Sequence, residues 1–268
     1  MDLIDIGANL THSSFEQDFD AVIAAAREVH VSHIMLTGTD LKSSQAALSM
    51  AQQNLDYFSS TAGFHPHAAK DVTAEAMHQI EQLLLQPEVV AVGETGLDFN
   101  RNFSPAEQQL QVFEEHLQLA AKLDMPVFLH QRDAHIEFLA LLSRYRDRLC
   151  GGVVHCFTDT ADALKEYLSM DMYIGITGWI CDERRGLALQ KHVKLIPDNR
   201  LLIETDAPYL LPRSINPRPD TRRNEPKYLP EVLRMVAQCR GQTMKEVAAL
   251  TIDNAKRLFN FRHLSHSH

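Results

Sequence analysis

Cysteine is scarce in this chain. The four in 268 residues, Cys150, Cys156, Cys181 and Cys239, form no close pair. That excludes a disulfide framework and a thiolate zinc knot, and reads as reduced thiols in a cytoplasmic protein. Long apolar runs are missing too: none approaches the ~20 residues of a membrane span, so no membrane partner is expected. The opening Met1-Asp2-Leu3-Ile4-Asp5 is acidic and no lysine or arginine precedes Arg27, so it does not read as a signal peptide. Positive charge is in deficit, with 26 Lys and Arg against 35 Asp and Glu and a net charge of −9. General charge-driven binding of polyanions is therefore disfavoured, although a local basic patch and metal ions can still neutralise phosphates. No GxGxxG follows the first apolar segment, which weakens a doubly wound dinucleotide fold. No Pro/Gly linker divides the chain.

What is present is a repeated alternation of short β-rich runs with helical periodicity. Leu3–Ile6 reads as the first strand, closing at Gly7-Ala8-Asn9. Ile34-Met35-Leu36 and the segment after Tyr57-Phe58 are the next two. Val89–Val92 is an apolar run of the kind buried on both faces, followed by Gly93-Glu94-Thr95-Gly96, which reads as a tight turn. Pro126 opens a fifth strand ending in His130, and Gly152–His155 is the sixth. Met172–Ile176 and Leu201–Asp206 are the last two. Thr73 reads as a helix cap, and Ser104-Pro105-Ala106-Glu107 and Thr243-Met244-Lys245-Glu246 as capping boxes. The strand ends fall near Ile6, Thr37, His65, Glu94, His130, His155, Thr177 and Asp206, 22 to 36 residues apart. Eight such units predict an α/β fold, a (β/α)8 TIM barrel, as one domain over residues 1–261 with a polar, frayed tail at 262–268.

In that fold, side chains at the C-terminal ends of the strands converge on one mouth. Those positions hold His65 and His67, Glu94, His130, His155 and Asp206. Any one alone reads as a hydrogen-bonded histidine or a loop cap. Together, carboxylates and imidazoles without thiolates predict a divalent, hydrolytic metal centre, in which Glu94 can bridge two ions. Period-2 alternation aims Cys156, next to His155, away from the mouth as a packing residue.

The segments Gly63-Phe64-His65-Pro66-His67, Gly93-Glu94-Thr95-Gly96-Leu97-Asp98, Pro126–His130, His155-Cys156-Phe157, Glu204-Thr205-Asp206-Ala207-Pro208-Tyr209 and Arg222-Arg223-Asn224-Glu225-Pro226 resemble the TatD family of metal-dependent deoxyribonucleases across the whole chain. The text from Tyr173 to Gly186 is similar to enterobacterial members in particular. The resemblance implies a metallo-dependent hydrolase barrel of the amidohydrolase-like type, using Mg2+ or alternatively Mn2+, with Zn2+ the poorer fit. It implies 3′→5′ exonuclease action on single-stranded DNA and RNA, with a role in DNA repair or degradation. Glu94, His130, His155 and Asp206 would be the metal ligands, and His65 would contact phosphate or assist proton transfer. A metal-activated water would attack phosphorus in line, with Asp206 orienting it. The chain departs from the family at the first strand, where Gly7-Ala8-Asn9 stands in place of His-x-His. One well-occupied ion and a second, weakly held one are expected.

Arg213, Arg218, Arg222, Arg223 and Lys227 follow the eighth strand, and Arg101, Arg132, Arg184 and Arg185 sit in other loops on that face. Above a metal site they read as a phosphate-binding rim, with Arg222 or Arg223 stabilising developing charge. Together with His67 and Arg132, Trp179 and Tyr209 are the expected substrate contacts, the two aromatics by base stacking. The competing enzyme is an amidohydrolase of small C–N or phosphoester substrates, weakened by Gly7, Asn9 and the lack of a strand-end lysine. A noncatalytic accessory protein would show eroded ligands. The expected protein is a monomer.

Overall fold

The computed structural model describes residues 1–261, so the expected tail at 262–268 lies outside the described residues. Eight parallel strands pair in chain order: β1 (Leu3–Ala8), β2 (Val31–Leu36), β3 (Phe58–Ala62), β4 (Val89–Asp98), β5 (Val127–Arg132), β6 (Gly152–Val154), β7 (Tyr173–Ile176) and β8 (Leu201–Ile203). Helices connect them: α1 (Phe19–Glu28), α2 (Leu41–Gln53), α3 (Ala74–Leu84), α4 (Ala106–Leu123), α5 (His135–Tyr145), α6 (Ala161–Ser169) and α7 (Leu187–His192). After β8 come α8 (Leu229–Arg240) and α9 (Met244–Phe259). This is the (β/α)8 barrel expected from the spacing. Among the described residues, no helix is long and apolar enough to cross a membrane.

The ends of the sheet meet through side chains as well as backbone. Thr205, just past β8, donates its amide (2.9 Å) and hydroxyl (2.5 Å) to the fully buried Asp5 carboxylate on β1. The Asp206 amide donates to the Gly7 carbonyl and the Asn9 amide to the Ala207 carbonyl. Burial pushes the Asp5 carboxyl up to about 7 against the pull of these donors. The barrel interior is filled by Ile4, Ile6, Met35, Val90, Phe128, Val153 and Leu202, and Phe259 and Phe261 close its floor. Each such fully buried side chain stabilises the fold by about 1.5–3 kcal/mol. The polar cluster is left to the opposite end.

Three local expectations change. The Gly93-Glu94-Thr95-Gly96 segment does not turn: β4 runs on to Asp98, with a register shift between Gly93 and Thr95 against β5. The glycines are needed because β4 and β5 approach closely there. Gly93 and Gly96 have φ of +143° and +144°, and a Cβ on either would collide with a β5 carbonyl oxygen. Second, Ser104 does not cap α4, whose N-cap is Pro105. Its hydroxyl instead donates to the His67 carbonyl and accepts from the Lys70 amide, tying down the loop after β3. Third, β6 ends before His155, so strand alternation does not govern Cys156 (φ +46°), which lines the mouth cavity. Thr73 and Thr243 cap α3 and α9 as expected, the latter in a full capping box.

A buried histidine on α4 holds the same loop from below. His116 Nδ1 donates to the Val112 carbonyl (2.7 Å), and Nε2 accepts the Phe64 amide (3.0 Å). Burial pushes its pKa down to about 4, so the ring stays neutral and keeps that acceptor at ordinary pH. The Phe64–His67 segment is thereby fixed against the barrel rim.

Candidate metal centre

Glu94 on β4 is almost fully buried, and three imidazoles from three other strand ends converge on its Oε1. His155 Nε2 lies 2.7 Å away, His130 Nδ1 3.1 Å and His65 Nε2 3.5 Å. Burial raises a lone carboxyl's pKa, but here His155, His65 and His130 outweigh it and hold Glu94 well below the usual range. The ligand atoms of His65, Glu94 and His130 all lie within 4.8 Å of one another, a group that can hold a metal ion. An ion here would meet only imidazole nitrogen and carboxylate oxygen, a donor set that fits a divalent cation.

The imidazoles are themselves held. Asp98, four residues along β4, accepts from His130 Nε2 (3.0 Å) and His67 Nε2 (3.2 Å), with the Asn100 and Arg101 amides on its other oxygen. These donors hold the Asp98 carboxyl far below its ordinary value despite burial. His130 is raised against its burial because Asp98 and Glu94 flank it, and His155 is raised well above its ordinary value, against burial, by Glu94 and Glu204. His65 behaves differently. Burial lowers its pKa to about 3, and its Nδ1 accepts the His67 amide. The hydrogen of the neutral ring therefore sits on Nε2, which makes His65 a donor toward the centre.

Asp206 lines the same cavity from just past β8, with φ +55°. Asn9 donates its amide to Asp206 Oδ1 (3.0 Å), so Asn9 reaches the site through a carboxylate. Burial, with Glu94 and Glu204 nearby, pushes Asp206 up to about 8 against the opposing effect of His155.

The cavity over the cluster measures about 1060 Å³. Lys42, Lys70, Arg101 and Arg132 line it, together with His67, Phe103, Trp179 and Tyr209. Tyr209 is exposed, and Arg185 lies 4.4 Å from the Trp179 ring centroid, capping one of its faces. The basic segment after β8 is placed otherwise than expected. Arg222 and Arg223 lie off the cavity lining, and Arg223 is taken up by Asp18, Glu225 and the Ser14 carbonyl. Next to them in the chain, Asn224 donates to the Thr205 (2.9 Å) and Tyr209 (2.8 Å) carbonyls, pinning the loop that carries Asp206. Arg213 pairs with Glu183, while Arg184 and Arg185 pair with Asp182. These ion pairs satisfy the arginines within the protein.

Sequence reasoning gave Asp98 and Glu204 no part in the site. Asp98 shares strand parity with Glu94, but parity does not tell a buried carboxylate from a solvated one, and Glu204 lies past the end of β8, where alternation gives no guide.

A family model described as TatD related DNase matches residues 4–260. The chain is 52% identical to the 3′-5′ ssDNA/RNA exonuclease TatD of Citrobacter rodentium over 257 residues, 96% of this chain and 97% of that protein. It is 50% identical to the protein of the same description from Escherichia coli, over 96% of this chain and 98% of that one. Among solved structures, a hydrolase TatD family protein from Entamoeba histolytica superposes with a TM-score of 0.89 at 27% identity, covering 97% of this chain and 98% of that one.

Proposed function

The chain belongs to the TatD family of DNases, and from that premise we propose that it is a metal-dependent phosphodiesterase, removing nucleotides 3′→5′ from single-stranded DNA and RNA. Relatives about 50% identical over nearly the whole length carry that description. The observation that carries the chemistry is the convergence of three strand-end imidazoles on one oxygen of Glu94, beneath a cavity whose lining includes Lys42, Lys70, Arg101 and Arg132.

Glu94, His130, His155 and Asp206 would hold the ion. The carboxylate share of the set favours Mg2+ or Mn2+ over Zn2+. When bound, a divalent ion supplies charge stabilisation at the phosphoryl oxygens and a lowered pKa for water. The Asn9 amide donates to Asp206 Oδ1 and fixes the orientation of the carboxylate, which would hold the ion and also orient the attacking water and take its proton. His65 Nε2–H donates to a non-bridging phosphate oxygen. Arg101, Arg132, Lys42 and Lys70 neutralise the strand's remaining phosphates, while Trp179 and Tyr209 receive unpaired bases. A second ion would be weakly held, because residue 7 has no side chain to offer. We place the protein in the cytoplasm as a monomer acting in DNA repair or degradation; its four unpaired cysteines suit a reducing compartment.

The test is a time course on single-stranded DNA and RNA, each labelled at the 5′ or the 3′ end, with Mg2+, Mn2+, Zn2+ or EDTA. With Mg2+ or Mn2+, 5′-labelled strands should shorten stepwise and 3′ label should appear at once as mononucleotide. EDTA should stop both. Hydrolysis of cyclic amides with no release from any oligonucleotide would replace this reading with an amidohydrolase.

A further inference from the structure

One buried carboxylate at the mouth has no part in the chemistry above. Glu204 follows β8 and is fully buried. A charge so placed requires hydrogen-bond partners. The Cys156 amide donates to its Oε1 at 2.6 Å, and His155 Nδ1 lies 3.3 Å from both of its oxygens. The barrel is shaped to admit it. A Cβ at Gly7 on β1 would collide with Glu204 Oε2, and one at Gly175 on β7 would stand 2.7 Å from Oε1. The space an imidazole at residue 7 would need is thus filled by the Glu204 side chain.

We propose that Glu204 is the positioning residue of His155, fixing its hydrogen on Nδ1 and so aiming the Nε2 lone pair at the metal centre. The proposal rests on the metal-centre reading of the cluster. A carboxylate only accepts, so a ring nitrogen facing one carries a hydrogen. Both nitrogens of His155 do so here, Nε2 toward Glu94 Oε1 at 2.7 Å and Nδ1 toward Glu204; a cation held by Glu94 would take the place of the Nε2 hydrogen, while Glu204 keeps the one on Nδ1. Phe128 stacks beneath the ring at 4.6 Å between centroids and 29° between planes, which fixes the ring's plane as Glu204 fixes its hydrogen.

Glu204→Gln tests this with little change of shape. The carbonyl of the introduced amide would keep the Cys156 amide, turning the NH2 toward His155, where it can only donate. His155 must then accept at Nδ1 and carry its hydrogen on Nε2, the wrong nitrogen for a ligand. Histidine-labelled protein is examined by 15N–1H NMR, both metal-free and loaded with Zn2+ as a diamagnetic ion. A slowly exchanging His155 Nδ1–H proton is expected in the unsubstituted protein in both states and absent in the variant. Calorimetric Mn2+ affinity should weaken about 10–100-fold, the usual cost of losing such an outer partner. Should Glu204→Gln fail to fold, Gly7→Ala displaces the same carboxylate without removing it and is expected to change both readouts in the same direction. A variant that retains the Nδ1–H proton and full Mn2+ affinity would overturn the proposal. If the unsubstituted protein binds no Mn2+, the metal-centre reading fails, while the metal-free NMR comparison still decides the part of Glu204.

Discussion

Glu94→Gln is expected to lower the rate of single-stranded DNA hydrolysis by about 10³-fold or more at saturating Mg2+, a loss at the upper end of those from deleting one preorganised electrostatic group. The substitution keeps the volume of the side chain and removes only its charge. Three imidazoles approach one Glu94 oxygen within 3.5 Å, and an amide there offers either a weaker acceptor or an NH2 that opposes them. The fold should survive, because β4 is held by backbone ladders to β3 and β5 and by a buried apolar surround. Far-UV circular dichroism and the melting temperature check that point. Asp206→Asn should lose activity to a similar degree, since an amide cannot take a proton from water. Mg2+-dependent cleavage at near-normal rates in both variants would remove these residues from the chemistry.

Gly96→Ala is expected to destabilise the protein by about 4 kcal/mol or more, enough to prevent soluble accumulation. Gly96 has φ +144°, and a Cβ there would collide with the His130 carbonyl oxygen and lie 2.9 Å from its carbonyl carbon. Both obstacles are backbone of a central strand, so no rotamer relieves them. Gly241→Ala is the informative contrast. It also has positive φ, +67°, but nothing stands within 4 Å of its Cβ position. Its cost should be only about 1 kcal/mol. Soluble yield of both variants, with urea unfolding of whatever folded protein is recovered, measures the difference, and normal yields with equal, small losses of stability would mean that β4 and β5 do not approach as described.

The strands were legible because each is a short apolar run between turn residues, and a barrel repeats that unit at near-constant spacing. The extent of β4 was not. Glycine and glutamate after Val92 carry turn chemistry locally, and only the close approach of β5 makes them strand. Barrel closure through Asp5 and Thr205 joins residues 200 apart in sequence, beyond any periodic signal. The strand-end residues of the site stood out because ligand types recurred at equivalent places. Their supports, Asp98 and Glu204, were hidden because a buried carboxylate and a solvated loop carboxylate look alike in sequence. Arginine density after β8 suggested a phosphate rim, yet Arg223 is satisfied by Asp18, and Asn224 beside it latches the Asp206 loop. Charge composition does not reveal which cations the fold has already paired.

The most direct test of the central claim is anomalous diffraction from a crystal of the protein soaked in Mn2+ without nucleotide. One strong anomalous peak is expected within bonding distance of Glu94 and the His130 and His155 nitrogens, with a second site weak or absent. Mn2+ elsewhere in the crystal with none against Glu94 would contradict the metal centre. Two fully occupied ions would contradict the weak second site that Gly7 and Glu204 impose.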